Sequence, residues 1–337
     1  MVNRPVPGHP YSLDDGLGIR RVESDGRMYT EILELPPLLA ARPAMEEAIH
    51  GRASRYADLD IRTFAPVRRI ERTGISLHVV SEMPPGVRLS DVLAHLQATG
   101  HVARESAMLE LASLVVNAVA ALHSWPGGIA HGAITPAHVL MTTDARVMLT
   151  DCVFGAGIEL LQRNRDMLWN EFRLAMPASA SLAKFDQQAD VTQMGAVVLA
   201  IVLQRQVRAE EYPHALSDLV VRATEAAKVP GGADAASALR SWLQQTLQVH
   251  PRLAFRSAVD AQRAFAEIVS RPAHRRAGPL ALQELLRTIC GEPFGRPQPA
   301  LNPLAQATGA FDAHRGAPGA RSHDPFESIM RAVFDKH

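Results

Sequence analysis

Few residues in this chain are equipped to do chemistry. Asp151 and Cys152 stand side by side, which puts a thiol next to a carboxylate. Such a cysteine is either reactive or a small buried apolar group, and this one reads as buried. The fourteen histidines include His9, His123, His131 and His138, and none is spaced with Cys or Glu as zinc ligands are. The two cysteines, Cys152 and Cys290, make neither a disulfide framework nor a structural zinc site. Lysine occurs only at Lys184, Lys228 and Lys336, so the first 183 residues hold no ammonium that could grip a phosphate. Arginines 20, 21, 68, 69 and 72 cluster in the early part of the chain and read as a solvated strand edge.

The elements that must position these groups follow from periodicity. Residues 1–18 are rich in Pro, Gly and Asp and read as an irregular lead-in. Residues 19–35 read as two strands about a Ser-Asp-Gly turn, and 64–71 with 75–82 as two more joined at Thr73-Gly74. Between them, 43–58 is a helix with Pro43 in its first turn. Met83-Pro84-Pro85-Gly86 breaks the pattern, and helix dominates from there. Ser90 is the expected cap of a short helix to His95. Leu111, Leu114, Val115, Ala118 and Leu122 recur at helical spacing within 104–124. Residues 190–203 are apolar all round, as a central buried helix is. Further helices are expected at 211–228, 235–247, 257–270 and 280–288.

Three segments in this framework resemble a protein-kinase C-lobe. I-A-H-G-A-I-T-P-A-H-V-L-M (129–141) followed by V-M-L-T-D (147–151) is similar to the catalytic loop and the strand ending in Asp-Phe-Gly. A-D-V-T-Q-M-G-A-V-V-L (189–199) resembles the Asp-containing stretch that opens the central helix. L-Q-V-H-P-R-L-A-F-R-S-A-V-D-A (247–261) resembles the closing motif before the last helix. The likeness runs over roughly residues 15–270. It implies an α+β, two-lobed protein-kinase-like fold, with a β-rich N-lobe at 19–83 and a larger helical C-lobe at 84–270. A short helical extension (271–290), a flexible linker (291–323) and an amphipathic helix (324–337) are expected to follow.

Phosphoryl transfer is mostly positioning and charge neutralisation, so its parts can be sought one at a time. The resemblance places the catalytic base at Ala133, whose methyl group accepts no proton, and the adjacent arginine at Gly132. The catalytic-loop lysine falls on Thr135. The magnesium-binding asparagine falls on His138, and imidazole is a poor ligand for that hard cation. Asp151 retains the Asp-Phe-Gly carboxylate, but Cys152-Val153 separates it from Phe154-Gly155. No lysine is available for the third strand; Arg27 is one substitute, although a guanidinium is not a compact ammonium. Glu46 or Glu47 lies where the pairing glutamate belongs, and Gly16-Leu17-Gly18 is the nearest match to a glycine-rich loop. The supporting groups fare better: His131 should pack beneath the loop, and Asp190 should accept its backbone hydrogen bonds. Arg256 matches the late structural arginine, but Ala175-Met176-Pro177-Ala178 offers it no glutamate.

The resemblance thus implies a pseudokinase without catalytic residues, a signalling scaffold or allosteric regulator whose partner is a protein, either a kinase or its substrate. Its cleft would either be empty or bind ATP with magnesium without turnover, weakly and through Asp151. The alternative is a divergent, active Ser/Thr kinase using His138, Asp151 and an N-lobe arginine. Phe326, Ile329, Met330, Val333 and Phe334 form one apolar stripe and are the partner-binding candidates. Lys plus Arg and Asp plus Glu are 35 each, which gives no reason to expect nucleic acid or an anionic membrane. The densest apolar run, Ala196 to Leu203, is too short to span a bilayer, and the start lacks a signal-peptide core, so a cytoplasmic location is the expectation.

Overall fold

Alternation of apolar and polar side chains builds the first sheet. In this computed structural model, which describes residues 7–24, 28–178, 182–226, 232–270 and 272–291, strands β1 (Tyr11–Ser12), β2 (Ile19–Ser24), β3 (Tyr29–Glu34), β4 (Val67–Thr73) and β5 (Ser76–Met83) are all antiparallel. Their order is β1-β2-β3-β5-β4. Helices α1 (Pro37–Ala40) and α2 (Pro43–Tyr56) connect β3 to β4, and the inward faces of β3 and β5 pack on α2 through Leu33, Leu77, Met45 and Ile49. A second sheet, β6 (Gly86–Arg88), β7 (Val139–Thr142) and β8 (Val147–Leu149), lies where the chain enters the helical lobe.

Nine helices are described in that lobe: α3 (Leu89–Thr99), α4 (Glu105–His123), α5 (Gly155–Glu159), α6 (Arg165–Phe172), α7 (Gln187–Leu203), α8 (Leu216–Ala226), α9 (Gly232–Thr246), α10 (Ala258–Val269) and α11 (Pro272–Gly291). By length and composition α4 could cross a bilayer, contrary to the expectation that no segment could. It is apolar because α7, α10 and α11 surround it. Asp186 caps α7, accepting from the amides of Gln188 and Ala189, and every residue from Ala189 to Ile201 is buried.

Several expectations are corrected. The lead-in is structured from Tyr11 onward: β1 joins the sheet, and Asp15 and Leu17 are buried. The Pro-Pro-Gly break leads directly into β6, because Gly86 meets the Met141 carbonyl too closely for a side chain. Ser90 is not a cap; α3 starts one residue earlier and runs to Thr99, and the Ser90 hydroxyl is buried without a partner among the described residues. The last helix extends well beyond 280–288 and includes Pro279. The linker, the tail helix and its stripe from Phe326 to Phe334, together with Arg27, lie outside the described residues.

Candidate functional site

The site is assembled where the sheet meets the loop after β8. On β2 the side chains of Arg20 and Val22 point inward, and on β3 those of Glu31 and Leu33 do. The register pairs Arg20 with Leu33 and Val22 with Glu31, so Arg20 and Glu31 are diagonal neighbours on one face. Arg20 is fully buried. Its Nη1 donates to Glu31 Oε1 at 2.6 Å and to Asp151 Oδ1 at 3.0 Å, and its Nη2 to Asp15 Oδ2 at 2.7 Å. The arginine read as part of a solvated edge is therefore the hub of a buried charge cluster. Arg68 and Arg72 instead pair at the surface with Glu82 and Glu46.

Arg88, at the end of β6, closes the cluster from the other side. Its Nη2 reaches both oxygens of Glu31 at 2.9 and 2.8 Å, and its Nη1 donates to the Ala137 carbonyl and to Thr150 Oγ1. The same Nη1 lies 3.5 Å from Asp151 Oδ2. His138 presents Nε2 to Asp15 Oδ2 at 3.0 Å and Nδ1 to the Ala133 carbonyl. Both ring nitrogens thus face oxygen atoms of the cluster and its loop. Asp15, Glu31 and Asp151 face the guanidiniums of Arg20 and Arg88, with the His138 ring alongside. Tyr11 donates its hydroxyl to Glu31.

Burial alone would raise the carboxyl of Asp151, but Arg20, His138 and Arg88 outweigh it and hold the group well below the usual carboxylate range. Asp15 follows the same pattern, with burial opposed by Arg20 and His138. Glu31 is also lowered, with burial opposed by Arg88 and then Arg20. Asp151 adopts a left-handed backbone, φ 63°. Such a conformation costs a non-glycine residue of order 1–3 kcal/mol and persists where its surroundings hold it.

The loop between β1 and β2 stands where a glycine-rich loop would arch over phosphates, but it folds inward. Gly16 has φ 63°, and a Cβ there would meet the Glu171 carbonyl oxygen at 2.2 Å. Leu17 is 1% exposed and joins the cluster holding Met45, Phe154, Leu168 and Phe172. The third strand carries the acid Glu31 where the kinase resemblance calls for an ammonium. On α2 the inward residue is Met45, its sulfur against Gly157, while Glu46 pairs with Arg72 and Glu47 is exposed. Neither glutamate enters the charge cluster.

The catalytic-loop counterpart is held by buried side chains. Asp190 accepts from the amides of His131 and Gly132, each at 2.7 Å, and from His123 Nε2 at 3.0 Å. His123 Nδ1 in turn accepts from the Ala258 amide, tying α10 to the loop. His131 Nδ1 accepts the Ala133 amide at 3.1 Å, so Nε2 carries the proton given to the Thr150 carbonyl. Burial pushes this imidazole down to about 4. Gln193, which sequence reasoning did not single out, accepts from the Ile134 amide at 2.8 Å and donates to the Gly132 carbonyl. Its place one helical turn after Asp190 on α7 was the available signal.

Other sequence candidates are placed apart. Ala133 is fully buried beside Phe154, with no carboxylate in its place. Cys152 is buried in the large core, and burial pushes its thiol up, as expected of an apolar role. Arg256 is exposed and makes no ion pair among the described residues, so the pairing implied for it has no counterpart. These residues do not fit a magnesium–nucleotide complex in the arrangement described: Asp151 is engaged by guanidinium, and a buried acid takes the place of the phosphate-binding cation. No group of three or more His, Cys, Asp or Glu among the described residues is arranged to hold a metal.

The five-stranded sheet with its single long helix, the helical lobe, and the loop hung from Asp190 define a protein-kinase-like fold. The chain is similar to crystal structures of the Mycobacterium tuberculosis PknI kinase domain. One aligns with a TM-score of 0.56 at 17% identity, covering 78% of this chain and 94% of that one. A point mutant of the same domain aligns with a TM-score of 0.54 at 18% identity, covering 77% and 93%. At such identity the likeness is one of fold. No family model and no curated protein sequence matches the chain.

Proposed function

We propose that this chain is a pseudokinase, a kinase-like fold that acts by binding a protein partner in signalling and does not transfer phosphate. The observation that carries this reading is the bond from Arg20 to Asp151: the one retained metal-ligand position already neutralises a cation of the chain itself. The inward loop at Leu17 and the acid at Glu31 weigh in the same direction, since both occupy or repel what a nucleotide's phosphates would need. A buried carboxylate engaged this way must first lose its guanidinium to accept magnesium, at a cost of several kcal/mol. A divergent active kinase built on His138 and Asp151 would need both free of the cluster that joins them to Asp15 and Arg20. In this reading the partner is a kinase or a kinase substrate in the cytoplasm, and neither nucleic acid nor membrane enters.

A thermal-shift titration with ATP, with and without magnesium, tests it, because a ligand specific to the folded state raises the melting temperature by mass action. No shift is expected at millimolar ATP, and no radiolabel should pass to the chain or to a generic protein substrate. Autophosphorylation that disappears in Asp151→Ala would overturn the proposal.

A further inference from the structure

A cavity of about 420 Å³ lies outside the charge cluster described above. It opens between the C-terminal half of α2, the segment after α4, the start of α7 and the turn before α10. Three arginines line it: Arg52 and Arg55 from α2, and Arg256. The first two are three residues apart, which places them on one face of the helix. Its size is in the range of small-ligand sites.

Two of these guanidiniums have no acid of their own. Arg55 and Arg256 are exposed, and neither makes an ion pair among the described residues. By contrast Arg68, Arg69 and Arg72 each pair with a glutamate. Arg52 is partly buried and fixed by its neighbours: it donates to the Ala130 carbonyl and to the Tyr56 hydroxyl at 3.0 Å, and that hydroxyl donates to the same carbonyl. One end of the arginine set is thus rigid while the other two members are unengaged.

Asp186 is the one acid in the lining, and it opposes an anion. Its Oδ1, however, accepts from the amides of Gln188 and Ala189 as the cap of α7. Three guanidiniums against one carboxylate leave the wall with a net charge of two positive. A phosphate monoester carries about −1.5 to −2 at neutral pH and presents three strong acceptor oxygens. Guanidinium forks match that geometry in a bidentate manner.

We infer that this cavity is a binding site for a phosphate monoester dianion, presented as a phosphorylated serine or threonine side chain of a protein. The opening to solvent at Arg55 and Arg256 suits a group carried on another chain. Free phosphate shares the recognising chemistry, and the experiment separates the two sources.

The test uses the full chain with three probes: a degenerate peptide mixture around a central phosphoserine, the same mixture unphosphorylated, and inorganic phosphate. Binding is read by fluorescence anisotropy for the peptides and by calorimetry for phosphate. The phosphorylated mixture should bind at least tenfold more tightly than the unphosphorylated one, and more weakly as salt rises. Arg55→Ala with Arg256→Ala should reduce that binding at least tenfold, while Arg68→Ala leaves it unchanged. Both targeted side chains are exposed, so the double variant should retain the wild-type melting temperature. Phosphate binding that disappears in the double variant, without a preference for the peptide, supports the anion site and assigns the free ion as ligand. Equal affinity for the two peptide mixtures with no phosphate binding overturns the inference, as does binding that survives the double substitution. ATP carries phosphates too, so a thermal shift with ATP that vanishes in the double variant belongs to this cavity. One that persists there counts against the pseudokinase reading instead.

Discussion

The Arg20 guanidinium on β2 donates to the carboxylate of Asp151 at 3.0 Å, across 131 residues of chain and from one lobe to the other. Both groups are buried, so the bond is a structural clamp. Arg20→Ala would leave Asp15, Glu31 and Asp151 with too few cations. Breaking a buried charge pair in this way costs about 3–5 kcal/mol, and urea unfolding should report a loss of that order. Arg20→Lys keeps the charge but not the fork that reaches three acids, so it should recover only part of the loss.

The same cluster sets the acid stability. The carboxyls of Asp15, Glu31 and Asp151 are all lowered in the folded state. Below an unfolded carboxylate value of about 4, the unfolded chain takes up protons that the folded chain refuses, so stability is present above that pH and falls as pH drops through it. Two groups act in the range just above. His131, pushed down to about 4, refuses a proton that the unfolded chain accepts from about pH 6.5 downward, so acidification there destabilises by about 3 kcal/mol at most. Asp91 is pushed up to about 7 by burial against the opposing pull of Arg88, so it takes up its proton in the fold first and acts in the opposite sense. Its side chain is partly open to solvent, which reduces its share. Urea midpoints should therefore fall gently from about pH 6.5 to 4.5, where Asp91 offsets only part of the His131 loss, and then steeply. Asp91→Asn should steepen the upper part of the curve.

Asp190 holds two amides and an imidazole with two oxygens. Asp190→Ala orphans three buried donors, each of which costs about 1–3 kcal/mol when left unmade. A loss of at least ~3 kcal/mol by denaturant unfolding is the expected outcome. Gln193→Ala frees only the Ile134 amide and the Gly132 carbonyl and should cost less, about 1–2 kcal/mol.

The inward loop can be tested at Gly16. Alanine there meets the Glu171 carbonyl and must also adopt a left-handed backbone, so the loop should withdraw and expose Leu17. Hydrogen exchange over residues 15–18 should accelerate at least tenfold. Gly74 has the same sign of φ but open space around it, so Gly74→Ala should cost only the backbone strain of about 1 kcal/mol and leave that loop protected.

The order of elements could be read from the residues, because strands 19–24 and 29–34 alternate and 187–203 is apolar on all sides. One local motif was equally visible: Asp190 stands in the first turn of the central helix and accepts the amides of His131 and Gly132. The absence of lysine before Lys184 is a fact of composition that no fold can reverse. What composition and period could not supply was the burial of Arg20. Five arginines in two strands look alike in one dimension, and an arginine on an inward face differs from one on an edge only through what lies opposite. Its acids arrive from residue 15, from the next strand and from residue 151, and only the tertiary fold brings those three points together. The inward loop is the same case, since Gly16 reads as an ordinary turn until the Glu171 carbonyl is placed against it. Local preference depends on neighbours in sequence, whereas the sign and burial of a charge depend on neighbours in space.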